Sequence, residues 1–119
     1  MKLSPHFTRH EFSCHCCGVC LVSQRLVDAL EKLREALGGV PVHVTSGYRC
    51  HDCNKKIGGV PGSQHPKGTA ADIVVEGRDP VEVAEKAEHI CEFRHGGIGI
   101  YDTFTHLDVR EGGPARWHG

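Results

Sequence analysis

The chain has 119 residues with 14 basic and 15 acidic side chains, so it is close to neutral. That balance gives no support to a nucleic-acid or anionic-membrane partner, and no apolar run reaches the roughly 20 residues of a membrane span. The length suits one domain, residues 1–119, with a thin core. The opening Met1-Lys2-Leu3-Ser4-Pro5-His6 lacks the apolar stretch of a secretory signal.

Thr8 to Ser13 reads as a helical turn, with Thr8 at the N-cap and Glu11 completing a capping box. A cysteine-rich segment at 14–20 follows. Ser23 then caps an amphipathic helix in which Leu26, Leu30, Leu33 and Leu37 form one stripe, broadened by Val27 and Ala29. Gly38-Gly39 ends it and Pro41 blocks its continuation. Val42 to Thr45 is a strand by alternation and β-branching. A long loop from Ser46 to Gly68 comes next, of a length that in a compact domain marks either function or a wrong element assignment. Ala70 to Val75 reads as a buried strand. Asp79-Pro80 opens a helix with Glu82 at the capping-box position, and Val83, Ala84, Ala87, Ile90 and Cys91 are expected to face inward. Gly97–Tyr101 and Phe104–Val109 end the pattern as two strands, a hairpin around Asp102-Thr103. The expected architecture is α+β, with helices on one side of a small, mostly antiparallel sheet.

Ten histidines and seven cysteines stand out in this composition. Hydrolytic zinc takes three protein ligands and keeps one open position, and it accepts imidazole nitrogen and carboxylate oxygen readily. The segment Ser63-Gln64-His65-Pro66-Lys67-Gly68-Thr69-Ala70-Ala71-Asp72 puts a histidine in a loop and an aspartate on the next strand. Gly68 allows the turn between them. A third ligand must come from elsewhere, and His106, on a strand and flanked by apolar Phe104 and Leu107, is the strongest candidate among many histidines.

Ser63-x-His65-x-x-Gly68-x-Ala70-x-Asp72, followed by His106-x-Asp108, resembles the signature of the zinc D-Ala-D-Ala carboxypeptidases. These peptidases share a fold with hedgehog signalling domains and lysostaphin-like enzymes. Ser46-Gly47-Tyr48-Arg49, Asn54, Gly97-Ile98-Gly99-Ile100-Tyr101 and Arg116-Trp117 fit the same pattern, which spans nearly the whole chain. The nearest subgroup is a compact one found in phages, prophages and bacterial genomes.

The resemblance implies that His65, Asp72 and His106 hold a catalytic zinc, and that Arg49 at the pocket rim binds the polarised carbonyl or a substrate carboxylate. Ser63 is expected to contact substrate or orient the metal loop. Several relatives carry an acid three residues before the last histidine ligand, where this chain has Thr103. Asp108 is therefore expected as the general base, because residues two apart on a strand, roughly 6.6 Å along it, share a face. Its other role would be to fix His106. Asp102 is the second candidate base. The implied activity is hydrolysis of peptidoglycan stem peptides or cross-links, by a carboxypeptidase or an endopeptidase. A monomer is expected, cytoplasmic or phage-associated and reaching the wall after release. The alternative is a metal-bearing but inactive binding module of the same fold.

Cys14, Cys17 and Cys20 make overlapping C-x-x-C spacings, and Cys50 with Cys53 makes another. Two such pairs suggest a second, structural zinc that staples the N-terminal loop to the active-site loop. Cys16 and His15 compete as ligands, and disulfides or unpaired thiols are the other readings. A redox or metal-storage protein built on this cluster is a third functional class, which the complete downstream motif disfavours.

Overall fold

Alternation along the strands divides the sheet into an apolar face and a polar one. The computed structural model describes residues 2–57 and 63–119, apart from the side chains of His51 and Cys53. Five strands run in the order β1-β2-β4-β3-β5: β1 (Val42–Ser46), β2 (Ala70–Val75), β3 (Gly97–Ile100), β4 (Thr105–Asp108) and β5 (Ala115–His118). Ala71, Ile73, Val75, Ile98 and Leu107 point into the core. Their neighbours Asp72, Gly97, Gly99, His106 and Asp108 fall on the opposite face by the period of two. The fold is α+β as expected. All strand pairs are antiparallel except β3 with β5, which is parallel.

The core is completed by α1 (Gln24–Ala36) and α3 (Pro80–Ala87). Leu26, Val27, Ala29, Leu30 and Leu33 of α1 are all buried, as the leucine stripe predicts. Gly38 and Gly39 take left-handed φ of 89° and 80°, and their amides close the helix onto the Glu35 and Arg34 carbonyls. At the N-terminus, the Glu11 carboxylate accepts both the Thr8 amide (2.8 Å) and its hydroxyl (3.1 Å), which holds a short 3₁₀ turn, Arg9–Phe12.

Three expectations need correction. The helix from Asp79 stops at Ala87, and a separate turn, α4 (Cys91–Arg94), follows an extended Ile90. That break shifts the helical phase, so Cys91 is exposed rather than inward. The long loop carries structure of its own, α2 (His51–Lys56) and a 3₁₀ turn, His65–Lys67. And β5 lies beyond the last predicted strand; it is too short and too polar to announce itself. Among the described residues, no helix is long and apolar enough to cross a membrane.

Leu30 is fully buried in the centre of this core. Leu30→Ala should cost about 2–5 kcal/mol in urea unfolding; a surface-like cost under about 0.5 kcal/mol would show that α1 does not carry the core.

Candidate metal centre

Strand register brings the sequence-predicted ligands together. Asp72 in β2 lies directly opposite His106 in β4, and Ala70 opposite Asp108. His65 enters from the 3₁₀ turn above the sheet, which Gly68 terminates with a left-handed φ of 73°. Ser63 holds that turn by accepting the His65 amide at 3.2 Å. All three candidate ligands are buried, and one donor atom from each lies within 4.8 Å of the others.

Hydrogen bonds on the outer side of each imidazole decide what points inward. His65 Nδ1 is 2.7 Å from the Gly47 carbonyl, which can only accept, so Nδ1 carries a proton. Its Nε2 then presents a lone pair to Asp72 Oδ1 at 3.2 Å. His106 Nε2 donates to Asp108 Oδ2 at 2.8 Å, leaving Nδ1 to face the same Asp72 oxygen at 3.0 Å. With neutral imidazoles, one carboxylate oxygen faces two acceptors. A proton on His106 relieves one of these contacts, whereas a single divalent cation relieves both. Donor spacing in a tetrahedral zinc site with bonds near 2.05 Å is about 3.3 Å, close to what is found. The donor set of two imidazoles and a carboxylate therefore fits zinc.

Asp108 does share a face with His106, as expected, but its geometry argues against the role of base. It is fully buried, and every lone-pair direction is used. Oδ1 accepts from the Gly97 amide (2.8 Å), the Arg110 amide (3.2 Å) and Arg110 Nε (2.9 Å). Oδ2 accepts from Arg110 Nη2 (2.8 Å) and His106. Burial raises its pKa, but these partners outweigh burial and hold the carboxyl far below the usual range. Such a carboxylate is a weak proton acceptor with no free site. Its contact with His106 Nε2 suits the other expected role, fixing that ring. Asp102 and Thr103 are both exposed on the β3–β4 turn.

Arg49 is half-buried, with Nε on Asn54 Oδ1 (3.0 Å) and its terminal nitrogens 3.4 Å from Ser46 Oγ and 3.5 Å from Ser63 Oγ. Burial lowers its pKa and outweighs the opposing pull of the Asp72 charge. Ser63 thus sits between Arg49 and the His65 amide, which suits orientation of the loop.

Sequence reasoning gave no role to Trp117, Tyr101 or Arg110. The Trp117 ring lies 5.0 Å from His106, its Nε1 donates to Tyr101 Oη at 2.9 Å, and Tyr101 stacks on Phe104 at 4.3 Å. Arg110 packs over the other part of Trp117, 5.3 Å from its centroid. A usable signal existed in Gly97-x-Gly99. Alternate glycines in a strand leave room for something large on that face. A Cβ at Gly97 would run into the Asp108 carboxylate, and one at Gly99 would come within 2.5 Å of the Trp117 ring.

The cysteines divide into groups. Cys14, Cys17 and Cys50 gather their sulfurs within 4.8 Å of one another. Burial raises the Cys14 pKa, but backbone amides of Cys50, Cys17 and Cys16 outweigh it and draw the thiol down to about 6. Cys16 is disulfide-bonded. Cys20 is a free thiol outside the trio, and the Cys53 side chain lies outside the described residues.

The site's acid–base balance yields a pH prediction for chelator-treated protein. Burial lowers His106, but its hydrogen bonds to Asp108 and Asp72 win and raise it above 6.5. That stabilisation is complete below the unfolded value and is lost as pH rises through the folded one. Burial raises Asp72, but His106 and His65 draw it from 3.8 down to about 2, so its contribution holds above 3.8 and is lost as pH falls through about 2. Metal-free protein should be most stable between about pH 4 and 6, and added zinc should stabilise it most above that window. Unfolding midpoints across pH check this; metal-free stability that climbs steadily above pH 7 would contradict it.

Comparison with known proteins agrees with the sequence signature. A family model described as Peptidase M15 matches residues 5–108. The zinc D-Ala-D-Ala carboxypeptidase of Streptomyces albus G is 30% identical over 85 residues, which cover 70% of this chain and 33% of that protein. The chain thus spans about a third of that relative's length. With most of its residues matched, both proposed histidine ligands and Asp72 included, the chain belongs to the Peptidase M15 family.

Proposed function

We propose that this chain is a zinc metallopeptidase that cleaves peptide bonds in peptidoglycan stem peptides or their cross-links. The observation that carries this reading is the convergence of His65 Nε2 and His106 Nδ1 on Asp72 Oδ1, with the outer nitrogens already committed elsewhere. His65, Asp72 and His106 hold the ion, and when bound, zinc supplies Lewis acidity to a scissile carbonyl and acidifies water. The name of the Streptomyces relative supports a substrate ending in D-Ala-D-Ala.

The chain's own residues have distinct parts in this reading. Asp108 fixes the tautomer and ring plane of His106. Arg49, braced by Asn54 and Ser63, presents guanidinium hydrogens to the substrate's carbonyl or carboxylate oxygen. Charge-assisted bonds of this kind strengthen as negative charge develops on that oxygen. Trp117 and Tyr101 form an apolar wall beside His106 that limits water on that side.

One observation favours a second reading, a metal-bearing binding module. Thr103 stands where relatives carry an acid, and Asp108 has no free lone pair to take its place. Incubation of zinc-loaded protein with purified peptidoglycan, and with a peptide ending in D-Ala-D-Ala, separates the readings. Release of D-Ala indicates a carboxypeptidase, cut cross-links indicate an endopeptidase, and both should stop with chelator. Bound zinc with no product would leave the binding module. Arg49→Ala should lower turnover about 10²-fold with zinc content unchanged; loss of zinc in that variant would instead give Arg49 a role in building the site.

A further inference from the structure

We propose that Cys14, Cys17 and Cys50 hold a second metal ion, a thiolate-bound zinc, which pins the N-terminal segment to the loop that carries Arg49. Separation of the sulfurs is the first support. Cys14 Sγ and Cys50 Sγ are 3.8 Å apart. A tetrahedral site with Zn–S bonds near 2.3 Å has sulfur–sulfur edges of about 3.8 Å, whereas a disulfide bond is about 2.05 Å long. None of the three is in a disulfide. They stand at the separation metal ligation needs, with the third sulfur in the same cluster.

Backbone geometry around Cys14 is the second support. Its amide donates to the Val19 carbonyl at 2.7 Å, and the Gly18 amide returns to its own carbonyl at 2.8 Å. This closes Cys14-x-x-Cys17-Gly18 into a tight knuckle, with Gly18 at a left-handed φ of 73°. Inside it, the amides of Cys16, Cys17 and, across the loop, Cys50 point at the Cys14 sulfur. Cys14 is also 2% exposed, so its sulfur is held inside the knuckle and turned toward the other two.

Donor softness separates this site from the one on the sheet. Thiolates select zinc or other thiophilic ions, while the imidazole–carboxylate set accepts a wider range. The consequence for activity is positional. Cys50 directly follows Arg49, and Gly47 in the same loop accepts from His65.

Metal analysis and cobalt spectra test the proposal. Reduced, zinc-loaded protein should contain two equivalents. Cys14→Ser or Cys50→Ser should leave one, and His106→Ala should also leave one, but a different one. Cobalt(II) loaded into His106→Ala should give the near-ultraviolet thiolate-to-metal charge-transfer band, which an imidazole–carboxylate site cannot produce. That spectrum uses a chain with every cysteine intact, so it decides the matter even where the serine variants fail to fold. A single equivalent in the parent that disappears with His106→Ala, or a cobalt form without the thiolate band, would overturn the second site. Neither outcome bears on whether the sheet-face zinc hydrolyses peptides.

Discussion

One oxygen atom, Oδ1 of Asp72, sets the terms for the rest of this molecule. Two imidazole nitrogens approach it at 3.0 and 3.2 Å, and both are left as acceptors by what their rings do on the other side. Burying three mutually repelling lone pairs is unfavourable unless positive charge sits among them. The donor set therefore suits a cation, and without one a proton is favoured on His106, whose affinity for it is raised. Register makes the arrangement possible, since β2 and β4 place Asp72 and His106 side by side on the face that the core does not use.

Keeping that face polar imposes demands on the neighbouring strand. Asp108 is a fully buried carboxylate, and a buried charge is tolerated only when paired and fully hydrogen-bonded. Arg110 supplies the bidentate partner, and the Gly97 amide supplies another donor. Both need space above β3, which two glycines provide. Gly99, one step along, gives the Trp117 ring its seat beside His106. The parallel edge strand β5 thus serves the site as well as the sheet, because it carries the aromatic group that closes one side of the candidate metal site.

Most of the helical core could be read from the sequence because its signals are local. A leucine stripe at helical spacing and a glycine pair after it need no tertiary information. Of the candidate metal ligands, His65 and Asp72 were legible because seven residues of one turn and strand join them, whereas His106, 34 residues beyond Asp72, was suggested by the family signature. What could not be read depended on how side chains and backbone settle in three dimensions. Nothing local tells that Arg110 bends back to its neighbour Asp108 and occupies every lone pair, and spacing alone made that carboxylate look like a free base. Cys91 illustrates the converse failure. Its helical phase was extrapolated through Ile90, whose extended backbone resets it.

Thr103 and Asp108 together define what separates a peptidase from a binding module on this framework. A hydrolase of this type must move a proton between water and a leaving amine, and the carboxylate nearest the ligands has its acidity and its lone pairs spent on Arg110 and His106. Orientation of a ligand and acceptance of a proton make opposite demands on one carboxylate. Tight pairing sharpens the first and abolishes the second. The tighter the hold of Arg110, the better defined the His106 ring, and the more any proton transfer must fall to a group outside that cluster. Whether such a framework catalyses is thus a question of the turn between β3 and β4 and of what a substrate brings to the site, rather than of Asp72 and His106, whose placement the sheet already dictates.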